Sequence, residues 1–215
     1  MMRFSIALVS AAIVALSTPA SAGSRVNWGA VQQWEGNYSF TRTDDSTAGT
    51  NVYRSVESAH GHAVFSLASS WNESTGPAYE WVGTAQVSAS MNASETSNSR
   101  CDNWSESPSG STSSARASIT IEARTYAWDA AGFKTTAHYQ RPQGCGTSPT
   151  VTVIGPISDA SDVALPSVPV LCGTLDLTGD DGSHLTGEWA FYPKGHEQRA
   201  MPAWCPHIVR NPAGN

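Results

Sequence analysis

The stretch Glu80-Trp-Val-Gly-Thr-Ala-Gln-Val-Ser-Ala-Ser-Met91 decides the fold. Apolar or small residues occupy every second position from Trp81 to Met91, and polar residues fill most of the positions between them. Successive side chains of an extended chain point to opposite faces, so this period is typical of a strand with one buried face. The stretch therefore predicts an antiparallel sheet with polar side chains outside and small side chains inside.

The same alternation recurs along the chain and predicts further strands. They are Trp34–Arg42, Val52–Glu57, His62–Ser69, Ala117–Ala123, Phe133–Gln140, Thr150–Ile154, Gly173–Thr178 and Leu185–Tyr192. No stretch after residue 22 shows a helical period, so about nine strands predict an all-β, antiparallel β-sandwich. A closed up-and-down β-barrel is the alternative.

Turn residues predict how the strands connect. Asp129–Gly132 is predicted to join a strand over Ile119–Trp128 to the next one, and Gly179–Ser183 to join the last two. Ser105–Ser114 is predicted to be a mobile polar loop, and the proline-rich tail 193–215 an irregular segment.

The small inward residues leave the use of the interior open. They are Gly83, Ala85, Ala89, Ala117, Ala123 and Ala137. These positions allow either close packing of the sheet or a cavity for a ligand.

The first 22 residues predict export. A basic head with Arg3, an apolar run over 4–16 and small residues at Ala20 and Ala22 form the pattern of a signal peptide. The apolar run is too short to cross a bilayer as a helix. We therefore expect a secreted or periplasmic protein whose mature part, residues 23–215, is a single all-β domain.

Charge argues against two classes of partner. The 215 residues include 12 Lys and Arg against 18 Asp and Glu, a formal net charge of −6, and the basic residues are not clustered. Nucleic acids and anionic membranes are bound by basic patches. We expect neither as a partner, and we predict carbohydrate or an extracellular protein instead.

Four cysteines predict two disulfides in an exported chain. Their spacing is too wide for a zinc site, which usually contains close Cys-x-x-Cys pairs. Three pairings are possible. Sequential pairing, Cys101 with Cys145 and Cys172 with Cys205, is favoured because each bridge then closes around one hairpin.

Tryptophan is the composition signal that bears on function, since the chain has eight. Trp34, Trp81 and Trp189 alternate with apolar neighbours and are predicted to lie in the core. The predicted binding residues are Trp71 and Trp104, in turn-like segments, and Tyr126 and Trp128, on the polar face of their strand. Exposed aromatic rings stack on sugars or anchor protein partners. The alternative is that the loop tryptophans fold back as lids over the ends of the sandwich or barrel.

Other candidate chemistry is weaker. His60 and His62 share one side of a strand and could contribute to a metal site, but a polar strand kinked at Gly61 is the favoured interpretation. No cofactor is expected. The predicted function is therefore an exported, non-enzymatic binding module that acts through aromatic loops.

Two alternative functions stay open. A polysaccharide or cell-wall hydrolase would need a carboxylate pair from Glu73, Glu80, Glu122 and Glu188. A carrier of small apolar ligands, of the lipocalin-like type, would need a hollow barrel.

Overall fold

A computed structural model describes residues 26–131, 134–138, 142–146, 150–154, 158–195, 203 and 205. The predicted signal peptide, 1–22, and most of the predicted irregular tail lie outside the described residues. The described strands are β1 (Gln33–Ala48), β2 (Asn51–Glu73), β3 (Gly76–Thr96), β4 (Trp104–Glu106), β5 (Ser109–Glu122), β6 (Thr125–Ala130), β7 (Lys134–His138), β8 (Thr150–Ile154), β9 (Ser158–Ala164), β10 (Leu171–Thr178) and β11 (His184–Pro193). Among these residues, no helix has the length and apolar character needed to cross a membrane.

The strands form one nine-stranded sheet and a separate pair, β7–β8. The order in the large sheet is β10-β11-β1-β2-β3-β5-β6-β9, with β4 added to β3, and its pairs are antiparallel. The predicted all-β antiparallel class is confirmed. The sheet is open, because no ladder between β9 and β10 is formed by the residues that the structure describes.

The sheet curls so that its two ends face each other across the core. Trp128 on β6 contacts Tyr38 and Phe40 on β1, with ring centroids 5.2 and 5.8 Å apart, and Trp189 and Phe191 on β11, at 5.6 and 4.9 Å. Since β2, β3 and β5 separate β6 from β1 in the ladder, these contacts require the curl. The two packed layers expected of a sandwich thus arise within a single sheet.

Small residues on β2, β3 and β5 face these large rings in the same core cluster. They include Ala59, Ala63, Ala85, Ala89 and Ala117, all buried. A Cβ atom on Gly61 would lie 2.0 Å from Cζ of Tyr38, so only glycine leaves room for that ring. The inward alanines of β3 and β5 therefore serve close packing against aromatic side chains.

The turn between β5 and β6 corrects the predicted position of Tyr126 and Trp128. The chain reverses at Ala123 and Arg124, and Ala123 adopts a left-handed φ of 51°. Asp129 and Ala130, expected in the next turn, belong to β6, and Gly132 lies outside the described residues. Tyr126 then lies opposite Ile121, and Trp128 opposite Ile119. Opposed residues share a face, so the expected outward placement of Tyr126 and Trp128 was wrong, and both are 2% exposed. Ala123, expected inside, is exposed at the turn.

Two other predictions are wrong because strands β2, β3 and β5 extend beyond the apolar stretches from which strands were predicted. Val52–Glu57 and His62–Ser69 belong to one 23-residue strand, β2. Much of Ser105–Ser114, expected to be a mobile loop, is strand: β5 begins at Ser109 and pairs with the far end of β3. Polar residues form these ladders because a neighbouring strand satisfies their backbone groups.

Both favoured disulfides are confirmed, and none of the four cysteines is free. The Cα–Cα distances are 5.2 Å for Cys101–Cys145 and 5.7 Å for Cys172–Cys205. The second bridge packs with Val170 and Ala190 in a small cluster separate from the main core. Two disulfides are compatible with an extracellular or periplasmic location.

A short hydrogen-bond chain joins the facing ends of the sheet. The indole Nε1 of Trp189 on β11 donates to the Tyr126 hydroxyl on β6 at 2.9 Å. That hydroxyl donates to the carbonyl oxygen of Cys172 on β10 at 3.2 Å. Burial raises the pKa of the Tyr126 phenol, so it stays protonated and keeps its donor.

Replacing Tyr126 by Phe should destabilise the protein by about 1–3 kcal/mol, because two buried polar groups lose their partner. Tyr38→Phe is the matched control, since the buried Tyr38 hydroxyl has no hydrogen-bond partner in the part of the chain that the structure describes. Its removal should leave stability unchanged or raise it. Urea unfolding of both variants measures the difference, and equal losses would show that the chain across the sheet ends contributes nothing.

Candidate functional site

The four predicted binding residues do not form one surface. Tyr126 and Trp128 are buried in the core. Trp71 lies opposite Ala78, near the turn between β2 and β3, whereas Trp104 lies opposite Glu95, near the other end of β3. At about 3.3 Å per residue, roughly 55 Å of strand separates these two positions. Trp71 and Trp104 must therefore be considered as separate sites.

Trp71 is an exposed ring beside a small recess. Its side chain is 36% exposed, and its Nε1 donates to Oε1 of Glu73 at 2.9 Å. The recess has a volume of about 130 Å³ and is lined by Ser70, Trp71, Asn72, Pro77 and Tyr79. A volume of this size is well below that of a typical small-molecule site.

Trp104 belongs to a more elaborate arrangement, the Trp104 cluster, formed by Asn51, Tyr53, Glu95 and Trp104. Tyr53 on β2, Glu95 on β3 and Trp104 on β4 lie side by side in the ladder. The half-buried rings of Tyr53 and Trp104 approach to 6.1 Å between centroids, at an interplanar angle of 49°. Trp104 Nε1 donates to one oxygen of the Glu95 carboxylate and Asn51 Nδ2 to the other, both at 2.8 Å.

The loop between β3 and β4 fixes the position of Trp104. The Ser97 amide donates to Oδ1 of Asn103 at 2.6 Å, and the Arg100 guanidinium donates to the carbonyl oxygen of Gln143 at 2.9 Å. The Cys101–Cys145 disulfide ties the same loop to the segment around residue 145. These cross-links hold the Trp104 cluster in place before any ligand binds.

The face that carries the Trp104 cluster continues into the core. Tyr53, Ser55 and Glu57 share this inner face of β2, and Glu57 lies opposite Arg42 on β1. One carboxylate oxygen of Glu57 is buried and has no hydrogen-bond partner among the described residues. Burial raises the pKa of Glu57, and the charge of Arg42 opposes that shift. Tyr53 and Glu57 are about 13 Å apart along the strand. An aromatic ring and a partly buried carboxylate therefore lie near each other on the inner face of β2.

The other candidate residues are dispersed. His60 and His62 lie on the outer face of β2, where His62 Nδ1 is 2.9 Å from Oδ1 of Asn37. Among the residues described by the structure, no three His, Cys, Asp or Glu side chains form a group that could hold a metal ion. Glu80 accepts a hydrogen bond from Ser69, and Glu122 is exposed at the β5–β6 turn.

Sequence reasoning did not name Glu95, and it did not place Glu57 with Glu95 on the inner face. Glu95 continues the phase of Met91 and Ala93, and Glu57 continues that of Ala59. The alternation itself could have placed both residues on the inner face. Glu57 is only the last residue of the predicted strand Val52–Glu57, and the predicted stretch ends at Met91, four residues before Glu95.

Because the pKa of Glu57 is raised, the stability of the protein should depend on pH. The folded protein holds the Glu57 proton more tightly than the unfolded chain, whose carboxyl titrates near 4.5. Stability should therefore fall as the pH rises through the window above 4.5, because the buried charge is disfavoured. Glu57→Gln removes that charge and should raise the melting temperature at pH 7. The gain should vanish below pH 4.5, and a gain that is independent of pH would contradict the assignment.

The Trp104 cluster is thus the place where partly exposed rings, a carboxylate and an amide side chain meet in a fixed arrangement. What it does must follow from the chemistry of these residues. No protein-family model, no curated protein and no solved structure matches this chain.

Proposed function

We propose that this chain is an exported, non-enzymatic binding module that binds a saccharide at the Trp104 cluster. One observation carries the proposal: the rings of Tyr53 and Trp104 flank a carboxylate whose two oxygens are held by Trp104 and Asn51. Sugar rings have flat C–H faces that stack on aromatic side chains, and their hydroxyl groups donate to carboxylates. The cluster provides both kinds of group within one patch.

The hydrogen bonds of Glu95 leave it able to accept more. An ionised carboxylate has about four lone-pair sites, and Trp104 and Asn51 use one on each oxygen. The remaining sites can accept sugar hydroxyls. Because the indole is already oriented by Glu95, little side-chain freedom is lost on binding. A fixed ring beside a fixed acceptor favours a ligand with alternating apolar and hydroxyl surfaces.

Three features support export and an extracellular ligand. The signal-peptide pattern over residues 1–22 predicts secretion, the paired cysteines suit an oxidising compartment, and the net charge of −6 disfavours nucleic acid. Extracellular and periplasmic compartments contain polysaccharides in quantity. An exported saccharide-binding module agrees with all three features.

A hydrolase acting on the same class of polymer is the second candidate, and Glu57 favours it. A general acid needs a carboxyl whose pKa is raised, and burial has that effect on Glu57, on the same inner face as the Trp104 cluster. A saccharide chain stacked on Trp104 and extended toward the core would approach Glu57. Reaction products distinguish the two candidates.

The proposal is tested by calorimetric titration of the mature chain, residues 23–215, with β-1,4-linked hexamers of glucose and of N-acetylglucosamine. At least one hexamer should bind. Trp104→Ala should weaken that binding by about 1–3 kcal/mol, because the stacking platform is lost. Glu95→Gln should weaken it less, since the amide oxygen still accepts from Trp104. Trp71→Ala is the matched control and should leave the affinity unchanged.

Two results would contradict the proposal. One is the absence of binding by either hexamer. The other is binding that Trp71→Ala weakens and Trp104→Ala does not. Release of reducing ends during the titration, abolished by Glu57→Gln, would instead establish the hydrolase.

A further inference from the structure

A groove lies at the end of the sheet remote from the Trp104 cluster. Its volume is about 810 Å³, within the range of about 300–1,000 Å³ typical of small-molecule sites. Three short segments line it: residues 26–33 before and at the start of β1, Ser167–Pro169 before β10, and Pro193–Gly195 at the end of β11. The groove and the Trp104 cluster are thus separated by the length of β1.

Backbone and side-chain hydrogen bonds fix the walls of the groove. The Lys194 amide donates to the carbonyl oxygen of Gln33 at 3.0 Å, and Trp81 Nε1 donates to that of Val31 at 2.8 Å. On the other wall, the Val170 amide donates to the carbonyl oxygen of Val168 at 2.8 Å. A groove with walls held in this way is formed before a ligand enters, which lowers the cost of binding.

The lining combines one positive charge with apolar side chains. Among the described residues, Lys194 is the only charged one that lines the groove, and no carboxylate of that part of the chain pairs with its ammonium. The apolar lining residues are Val26, Ala30, Val31, Val168, Pro169 and Pro193. Val168 is 37% exposed, so part of this apolar surface faces solvent.

We infer that this groove binds a small amphipathic carboxylate of the fatty-acid class. The carboxylate head pairs with the Lys194 ammonium, and Asn27, which also lines the groove, carries an amide donor. The alkyl tail lies along Val31, Val168 and Pro193, and burying it against them is favourable. In a chain with net charge −6, a cation that no carboxylate of the described residues pairs with selects for an anion.

The test is calorimetric titration of the mature chain with dodecanoate below its micelle concentration, with dodecanol as the neutral probe. Dodecanoate should bind with a stoichiometry of one, and dodecanol more weakly. Lys194→Gln should weaken dodecanoate binding roughly tenfold, because a charge-assisted hydrogen bond is lost. The same substitution should leave dodecanol binding unchanged. Within the described residues, Lys194 contributes only its backbone amide to the hydrogen bonds of the fold, so the variant should keep its melting temperature.

Arg54→Gln is the control for net charge, since Arg54 is exposed near the other end of β1 and pairs with Asp45. It should leave dodecanoate binding unchanged. The inference is overturned if dodecanoate shows no saturable binding, if Lys194→Gln has no effect, or if Arg54→Gln weakens binding equally. The outcome is independent of the saccharide experiment, because the two sites share no residue.

Discussion

The packing of Trp128 against the rings of β1 and β11 is the contact on which the rest of the structure depends. Tyr38, Phe40, Trp189 and Phe191 surround an indole that belongs to a strand on the far side of the ladder. An open antiparallel sheet has a natural twist, but twist alone does not bury its inner face. Large side chains on β1, β6 and β11 pack against a wall that includes several alanines and Gly61, and this lets the two ends approach and exclude water.

The same register connects this core to the proposed saccharide site. β2 and β3, at 23 and 21 residues, are longer than the core they help to cover. Their inner face therefore emerges from the core and carries Glu57, Tyr53 and Glu95 in the phase of the buried alanines. The inner face of β2 and β3 is apolar inside the core, and it carries polar and aromatic residues where the two strands extend beyond the core. Such an extension can hold a rigid binding platform. β4 and the Cys101–Cys145 disulfide complete it by placing Trp104.

The alternation of apolar and polar residues predicted the features that depend on nearby sequence. It failed for the strand whose inward and outward faces are decided by the position of one turn. The strand character of Glu80–Met91, the core role of Trp34, Trp81 and Trp189, and both disulfides could be predicted. Ala123 could not, because an alanine in a left-handed turn carries none of the usual turn signals. The turn at Ala123 places Tyr126 and Trp128 on the inner face of the sheet, whereas the alternation predicted the outer face. Within the proposed site, the sequence singles out Trp104, and its binding role stays a prediction. Its pairing with Glu95 and Asn51 depends on the register of three strands.

The free energy of unfolding of Trp128→Ala tests the central claim most directly. If Trp128 holds the two ends of the sheet together, urea unfolding should show a loss of about 3–5 kcal/mol, as for a fully buried aromatic residue. The exposed Trp71 is the comparison of equal size at the surface, where substitutions usually change stability by no more than about 0.5 kcal/mol. A loss for Trp128→Ala no greater than for Trp71→Ala would contradict the curled sheet and its aromatic core.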